Sequence, residues 1–263
     1  MWVSSSNING DEEDNPNTSS GMQDEPSSHL IKVIEIIGKG STVKSNLIAV
    51  LEILQTHLVC TDEETRKRST NLVAKLLENN LELDSSAVSH LTAFFNGRLD
   101  DYPSLVPSLQ ALIDLARNYM HANKSSVAST VPSAFHHDAL LVLTKIFDHL
   151  NVQSIAQSIR QLVYDLVYEY FSIPSIVSGL QSNGPAMVSG VLIITEGERD
   201  PRCLLKSLRL IEVAMRNFPT AGETCSESAF DSIAGYFPIV FRPSAGNVVH
   251  IFFRRFYFCS VLH

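Results

Sequence analysis

"TEGERDPRCLLKSLRLIEVA", residues 195–214, places five charges in its first eight residues and then becomes amphipathic. Glu196, Glu198, Asp200 and Arg202 either form a reactive cluster or mark where one helix stops and the next begins. The pair Asp200-Pro201 decides for punctuation. An Asp at a helix start accepts from unpaired backbone N–H groups and faces the positive end of the helix dipole. Pro in the first helical position costs nothing, because the N–H it lacks has no partner there. No partnering His or Gly-rich loop lies close enough in sequence to make the carboxylates reactive.

The same shape recurs. "LVCTDEETRKRSTNLVAKLLE" from Leu58, "GRLDDYPSLVPSLQALIDLA" from Gly97 and, more weakly, "DHLNVQSIAQSIRQLVYDLV" from Asp148 each join an apolar helix end, a polar turn and a second amphipathic helix. The turn residues Asp62, Asp101, Asn151 and Asp200 stand 39, 50 and 49 residues apart. That spacing approximates the period of HEAT-type helical pairs, roughly 40–47 residues.

Between the turns, apolar residues keep helical steps. Leu47, Leu51, Leu54 and Leu58 line one face, and Leu140, Leu143, Phe147 and Leu150 line another. Leu162, Val163, Leu166, Val167, Tyr170 and Phe171 make a wider band suited to burial against two neighbours, and Leu204, Leu208, Ile211 and Met215 form a further stripe. Short breaks with Pro, Gly, Asp or Asn leave room for antiparallel helices and little for strands. The expected fold is therefore all-α: a HEAT-like, armadillo-type helical-repeat solenoid of four to five pairs in a right-handed superhelical array. Residues 29–243 would form the repeats, after a disordered acidic leader over 1–28 and before a divergent aromatic tail over 244–263.

Composition agrees with that division. The chain has 263 residues, 44% of them hydrophobic, enough for one or two globular domains. Its net charge is −8, but Asp11, Glu12, Glu13, Asp14, Asp24 and Glu25 all precede the first basic residue, Lys32. The body is close to neutral, which disfavours direct nucleic-acid binding. Cys60, Cys203, Cys225 and Cys259 form no C-x-x-C pair, so a reducing compartment fits better than a disulfide framework or a zinc ribbon. The polar acidic N-terminus reads as no secretory signal, which makes the N-x-[ST] matches at Asn17 and Asn123 chance.

Other candidates yield to plainer readings. "GKGST" at Gly38–Thr42 departs from the phosphate-loop pattern, because Gly40 separates the Lys from Ser41 and Val33 stands where the first Gly is needed. His136 and His137 are adjacent and point about 100° apart on a helix, so they cannot share a metal from one face. Arg66, Lys67 and Arg68 follow Asp62, Glu63 and Glu64 at helical spacing, which makes a self-neutralised face. No catalytic signature appears, and no catalytic, cofactor or metal residue is assigned. The closing "NVVHIFFRRFYFCSVLH" offers 16 residues from Val248 with Arg254 and Arg255 in the middle. Each arginine costs about 2.5–3.5 kcal/mol at a bilayer centre, so no membrane span is expected. Its aromatic and β-branched run, following Ile233, Tyr236, Phe237, Ile239 and Phe241, predicts poor solubility or self-association unless the tail folds back as a cap.

"FFNGRLDDYPSLVPSLQALIDL" (Phe94–Leu115), "EGERDPRCLLKSLRLI" (Glu196–Ile211), "YFPIVFRPS" (Tyr236–Ser244) and, more loosely, "ETRKRSTNLVAKLLE" (Glu64–Glu78) resemble segments near the N-terminus of one family of HEAT-repeat scaffolds. That family serves the cytosolic iron–sulfur protein assembly machinery and is also known for methyl-methanesulfonate sensitivity, nucleotide excision repair and transcription. The resemblance covers about Leu47–Pro243. It implies a non-catalytic adaptor of cytoplasm and nucleus, without a cofactor of its own. Its partners would be iron–sulfur apoproteins, such as DNA helicases and polymerases, and the assembly subunits. Family members continue for several hundred residues more, so residues 245–263 are expected to derive from an alternative transcript or a read-through. The rival expectation is a generic HEAT adaptor in transcription or DNA repair with no part in cluster delivery.

Overall fold

The computed structural model describes residues 43–77, 83, 85–125 and 134–236. The leader at 1–28, the Gly38–Thr42 turn, Pro132 and Ser133, and the segment 237–263 with its aromatic tail lie outside the described residues.

Contacts divide the chain into two compact units, residues 1–83 and 84–263. Among its described residues the first contains a helical hairpin, α1 (Val43–Leu58) and α2 (Glu63–Leu77). Val50, Leu54 and Leu58 on α1 are buried, as are Val73, Ala74 and Leu77 on α2. Asp62 makes the turn: its Oδ2 accepts from the Thr65 N–H at 2.8 Å, and the bonds from the Thr65 side chain and then its N–H hold the carboxyl below the usual range. The basic cluster is spent locally. Arg66 donates to the carbonyls of Cys60 and Thr61 at the end of α1, while Arg68 and Lys67 pair with Glu64.

The second unit holds α3 (Ser85–Gly97), α4 (Tyr102–Ser125), α5 (Ala134–His149), α6 (Gln157–Phe171), the short α7 (Pro174–Gly179), α8 (Gly184–Thr195), α9 (Pro201–Asn217), α10 (Pro219–Thr224) and α11 (Ser226–Ala234). Single 3-10 turns at Arg98–Asp100, Val152–Ser154 and Gln181–Asn183 link some of them. Three hairpins, α3/α4, α5/α6 and α8/α9, stack side by side: α3, α5 and α8 pack in one layer, and α4, α6 and α9 in the other. Among the described residues there is no strand. The architecture is all-α and built from HEAT-like helical pairs, each burying its apolar stripe on its neighbours.

Side-chain size sets the closeness of the layers. Tyr164, Tyr170, Phe95 and Phe218 are fully buried. Phe171 meets Phe218 edge-on at 5.4 Å, and Phe135 lies between Tyr119 and Tyr170. On α8, Met187, Val188, Val191, Leu192 and Ile194 are buried on the side that meets α5 and α9, while Ala186, Ser189 and Ile193 are exposed. Gly190 lets α8 approach α5: a Cβ there would sit 2.2 Å from the Phe147 ring.

Two details of the sequence reading change. The buried face of α9 is Cys203, Ser207, Leu210, Ile211 and Ala214, while Leu204, Leu208 and Met215 are only half-buried. A pattern search weights the largest apolar residues, yet the tightest contacts with α6 and α8 need small ones. The turn at Asn151 also differs, because Asn151 precedes a 3-10 turn and α6 starts only at Gln157 with no side-chain cap. Buried Val152 anchors the extra residues, and Arg160 donates to the Ile155 carbonyl at 2.8 Å.

Candidate partner-binding face

In the turn between α8 and α9, Asp200 is the helix punctuation that the sequence predicts. Its Oδ1 accepts from the backbone N–H of Arg202 at 2.9 Å and of Cys203 at 3.4 Å, with Pro201 in the first helical position. The bond from the Arg202 side chain is the largest cause holding the Asp200 carboxyl below its usual range. Gly197 makes the reversal possible with φ of +71°, a left-handed conformation that side chains with a Cβ resist. Glu196 is exposed.

Glu198 does something else. It is only 1% exposed, and its carboxylate receives Arg160 from α6 through two bonds, Nε to Oε2 at 2.8 Å and Nη2 to Oε1 at 3.0 Å. Tyr164 donates its hydroxyl to Oε2 at 2.9 Å, and the N–H groups of Arg199 and Asp200 each donate to Oε1 at 2.9 Å. Burial alone would push this carboxyl up, but the bonds from Arg160, Asp200 and Tyr164 outweigh it and hold Glu198 below the usual carboxylate range. Burial, reinforced by the Glu198 charge, pushes the Tyr164 hydroxyl and the Cys203 thiol up. Gln153 donates to the Ile194 carbonyl at 2.8 Å, which completes the seam between the α5/α6 and α8/α9 pairs, and Tyr236, just after α11, donates to the Thr195 carbonyl at 3.4 Å from another side. Both Glu198 oxygens are occupied by donors of the protein itself, so the cluster is a structural joint. Sequence reasoning missed Arg160 and Tyr164. Their signal was a lone Arg just before the α6 apolar band, with a Tyr one turn later inside it.

The layer of α4, α6 and α9 presents a charged outer face bridged by cross-helix rungs. Arg117 on α4 pairs with Glu169 on α6 at 2.7 Å. Asp165 on α6 pairs with Lys206 on α9 at 2.6 Å. Arg209 on α9 donates to the Tyr168 hydroxyl at 3.0 Å and lies 5.1 Å over that ring. These pairs are solvent-accessible, and such pairs are worth little individually, about 0.2–1 kcal/mol. Their side chains remain available to a partner.

Other candidates stay apart from that face. His136 lies against Gly179, and His137 is exposed beside it. Among the described residues no three His, Cys, Asp or Glu side chains are gathered to hold a metal ion. A shallow cleft of about 270 Å³ lies between the α5–α6 turn and the end of α8, lined in part by Phe147, Asp148, His149, Asn151 and Ile193. No described helix is long and apolar enough to cross a membrane.

Comparison with known proteins places this architecture. The family model described as "Dos2-interacting transcription regulator of RNA-Pol-II", MMS19_N, matches residues 51–253, ten residues beyond the Pro243 limit read from the sequence. The "MMS19 nucleotide excision repair protein homolog" of Homo sapiens is 30% identical over 199 residues, covering 75% of this chain and 18% of that protein. The Mus musculus homologue is 29% identical over 225 residues, 85% of this chain and 20% of its own length. The Arabidopsis thaliana homologue is 24% identical over 243 residues, 89% of this chain and 20% of its own length. The chain thus spans about a fifth of the curated relatives it matches. The relatives are named for repair and the family model for transcription, and none of these names denotes an enzyme. With the family model covering most of its length, the chain belongs to the MMS19_N family.

Proposed function

We propose that this protein is a non-catalytic adaptor that helps deliver iron–sulfur clusters to apoproteins of DNA repair, replication and transcription. The observation that carries the reading is the family match over residues 51–253 on a stack of helical pairs whose α4/α6/α9 face is solvent-accessible and charged. A scaffold of this kind acts by display: the stack fixes side chains in space, and partners read the exposed faces. Apo helicases and polymerases would be its clients and cytosolic assembly subunits its co-partners, in cytoplasm and nucleus. The cluster itself is cargo and passes between other proteins.

The names of the relatives, which speak of nucleotide excision repair, and the description of the family, which speaks of RNA polymerase II regulation, also favour a second reading. In it the chain is an adaptor in repair or transcription with no role in cluster delivery. Purification of the tagged 263-residue protein under anaerobic conditions, followed by identification of the bound proteins, separates the two. Enrichment of apo iron–sulfur helicases supports cluster delivery. Transcription or repair factors that lack such clusters, recovered in their place, would support the second reading.

A further inference from the structure

We propose that the outer ridge of α9 is a docking surface for an acidic segment of a partner protein, one that presents carboxylates a heptad apart with an apolar side chain between them. This rests on the adaptor reading and deepens it by naming the surface and the chemistry it selects. Arg202, Arg209 and Arg216 recur every seven residues and so lie on one face about 10.5 Å apart along the helix. Lys206 stands beside them, and Glu212 is the one acidic residue of the helix. On a chain of net charge −8, this helix alone carries four basic side chains against one acid.

The cations are held and still open. The side chains of Arg202 and Arg216 are 70% and 71% exposed even though each touches a carboxylate of its own segment, Asp200 and Glu212. Such exposed pairs exchange readily for a partner's carboxylates. Arg209 has no carboxylate partner among the described residues; stacking on Tyr168 fixes its guanidinium on the surface while leaving its charge uncompensated. Leu205, 54% exposed, stands between Arg202 and Arg209 and offers the apolar contact.

A protein segment fits better than a nucleic acid. Asp165 and Glu169 on the adjoining α6 lie on the same face, joined to it by the Lys206 and Arg117 rungs, and would repel the second line of phosphates of a duplex. A single acidic segment lying along α9 avoids them and covers Leu205 as well.

The test uses the whole 263-residue chain and a fluorescein-labelled synthetic peptide two heptads long, with glutamates at the arginine spacing and leucine between, read by fluorescence anisotropy. Saturable binding that weakens with added salt, and at least about tenfold in the glutamine version of the peptide, is expected. Arg209→Glu and the double variant Arg202→Glu with Arg216→Glu should each lower affinity by about tenfold or more with unchanged circular dichroism. Lys75→Glu on α2 should leave it unaltered. The milder Arg209→Gln keeps the test valid if a reversal disturbs folding. No saturable binding, an equal loss in Lys75→Glu, or displacement of the peptide by duplex DNA at lower concentration than by unlabelled peptide would overturn the proposal. Client recovery from cells reads the adaptor role separately, so failure of the ridge and failure of that role are distinguishable.

Discussion

Arg160 and Glu198 lie 38 residues apart in sequence and meet through two parallel hydrogen bonds of 2.8 and 3.0 Å, which joins the α5/α6 pair to the turn that opens α9. Their side chains are 15% and 0% exposed. An ion pair this enclosed is costly to assemble and costlier to halve, because removing one partner leaves a buried charge without compensation. The geometry also fixes register: only one placement of the α8–α9 turn puts Glu198 under both Arg160 and Tyr164.

Glu198→Gln is therefore expected to destabilise the protein by about 3–5 kcal/mol, with a lower denaturant midpoint. Replacing both partners by apolar residues, as in Arg160→Met with Glu198→Leu, should recover part of the loss, because the Arg199 and Asp200 N–H groups still lose their acceptor. A double variant as unstable as the sum of the single ones would show that the pair does not act as a unit.

Acid sensitivity follows from the same carboxyl. Glu198 titrates below its ordinary value in the folded state, so the stability it contributes is complete above the unfolded pKa of about 4.3 and is lost as pH falls through the folded value. Asp200 acts in the same direction. Unfolding curves taken from neutral pH downward should show stability falling in the acid range, and the fall should be shallower in Glu198→Gln. A slope unchanged by that substitution contradicts the assignment.

Three glycines separate backbone strain from side-chain space. Gly190→Ala drives a Cβ into the Phe147 ring and should cost about 1–3 kcal/mol. Gly197→Ala meets no neighbour but must hold φ of +71°, which should cost about 1–2 kcal/mol. Gly97 has helical dihedrals and open space, so Gly97→Ala should be neutral or stabilise by up to about 1 kcal/mol. Thermal unfolding of the three variants checks the order.

Asp200→Ala removes the α9 cap and should cost about 0.5–2 kcal/mol, whereas Asp200→Asn should keep most of it. Equal losses in the two variants, measured by urea denaturation, would mean that charge outweighs the cap bonds.

The sequence made local features legible. Asp62, Asp200 and Pro201 announce helix starts because a cap needs only its own next three residues, and the apolar steps announce helices because one helix repeats one period. Glu198 looked like more of the same turn. Its role depends on Arg160 and Tyr164, and nothing in a local window says which distant helix will lie across it. The inner face of α9 was misread for a related reason: Cys203, Ser207 and Ala214 are small, and their value appears only once α6 and α8 are in place. The cross-helix rungs Asp165–Lys206 and Arg117–Glu169 were hidden in the same way, since each needs two repeats stacked in register.

The most direct test of the account is quantitative recovery of proteins bound to the tagged 263-residue chain, purified anaerobically from cells in which cluster synthesis is blocked so that apoproteins accumulate. The account predicts enrichment of apo iron–sulfur helicases and polymerases over their cluster-loaded forms, reduced by Arg209→Glu where the client docks through an acidic segment. Recovery without preference between apo and loaded forms, or of repair and transcription proteins that carry no cluster, would contradict it.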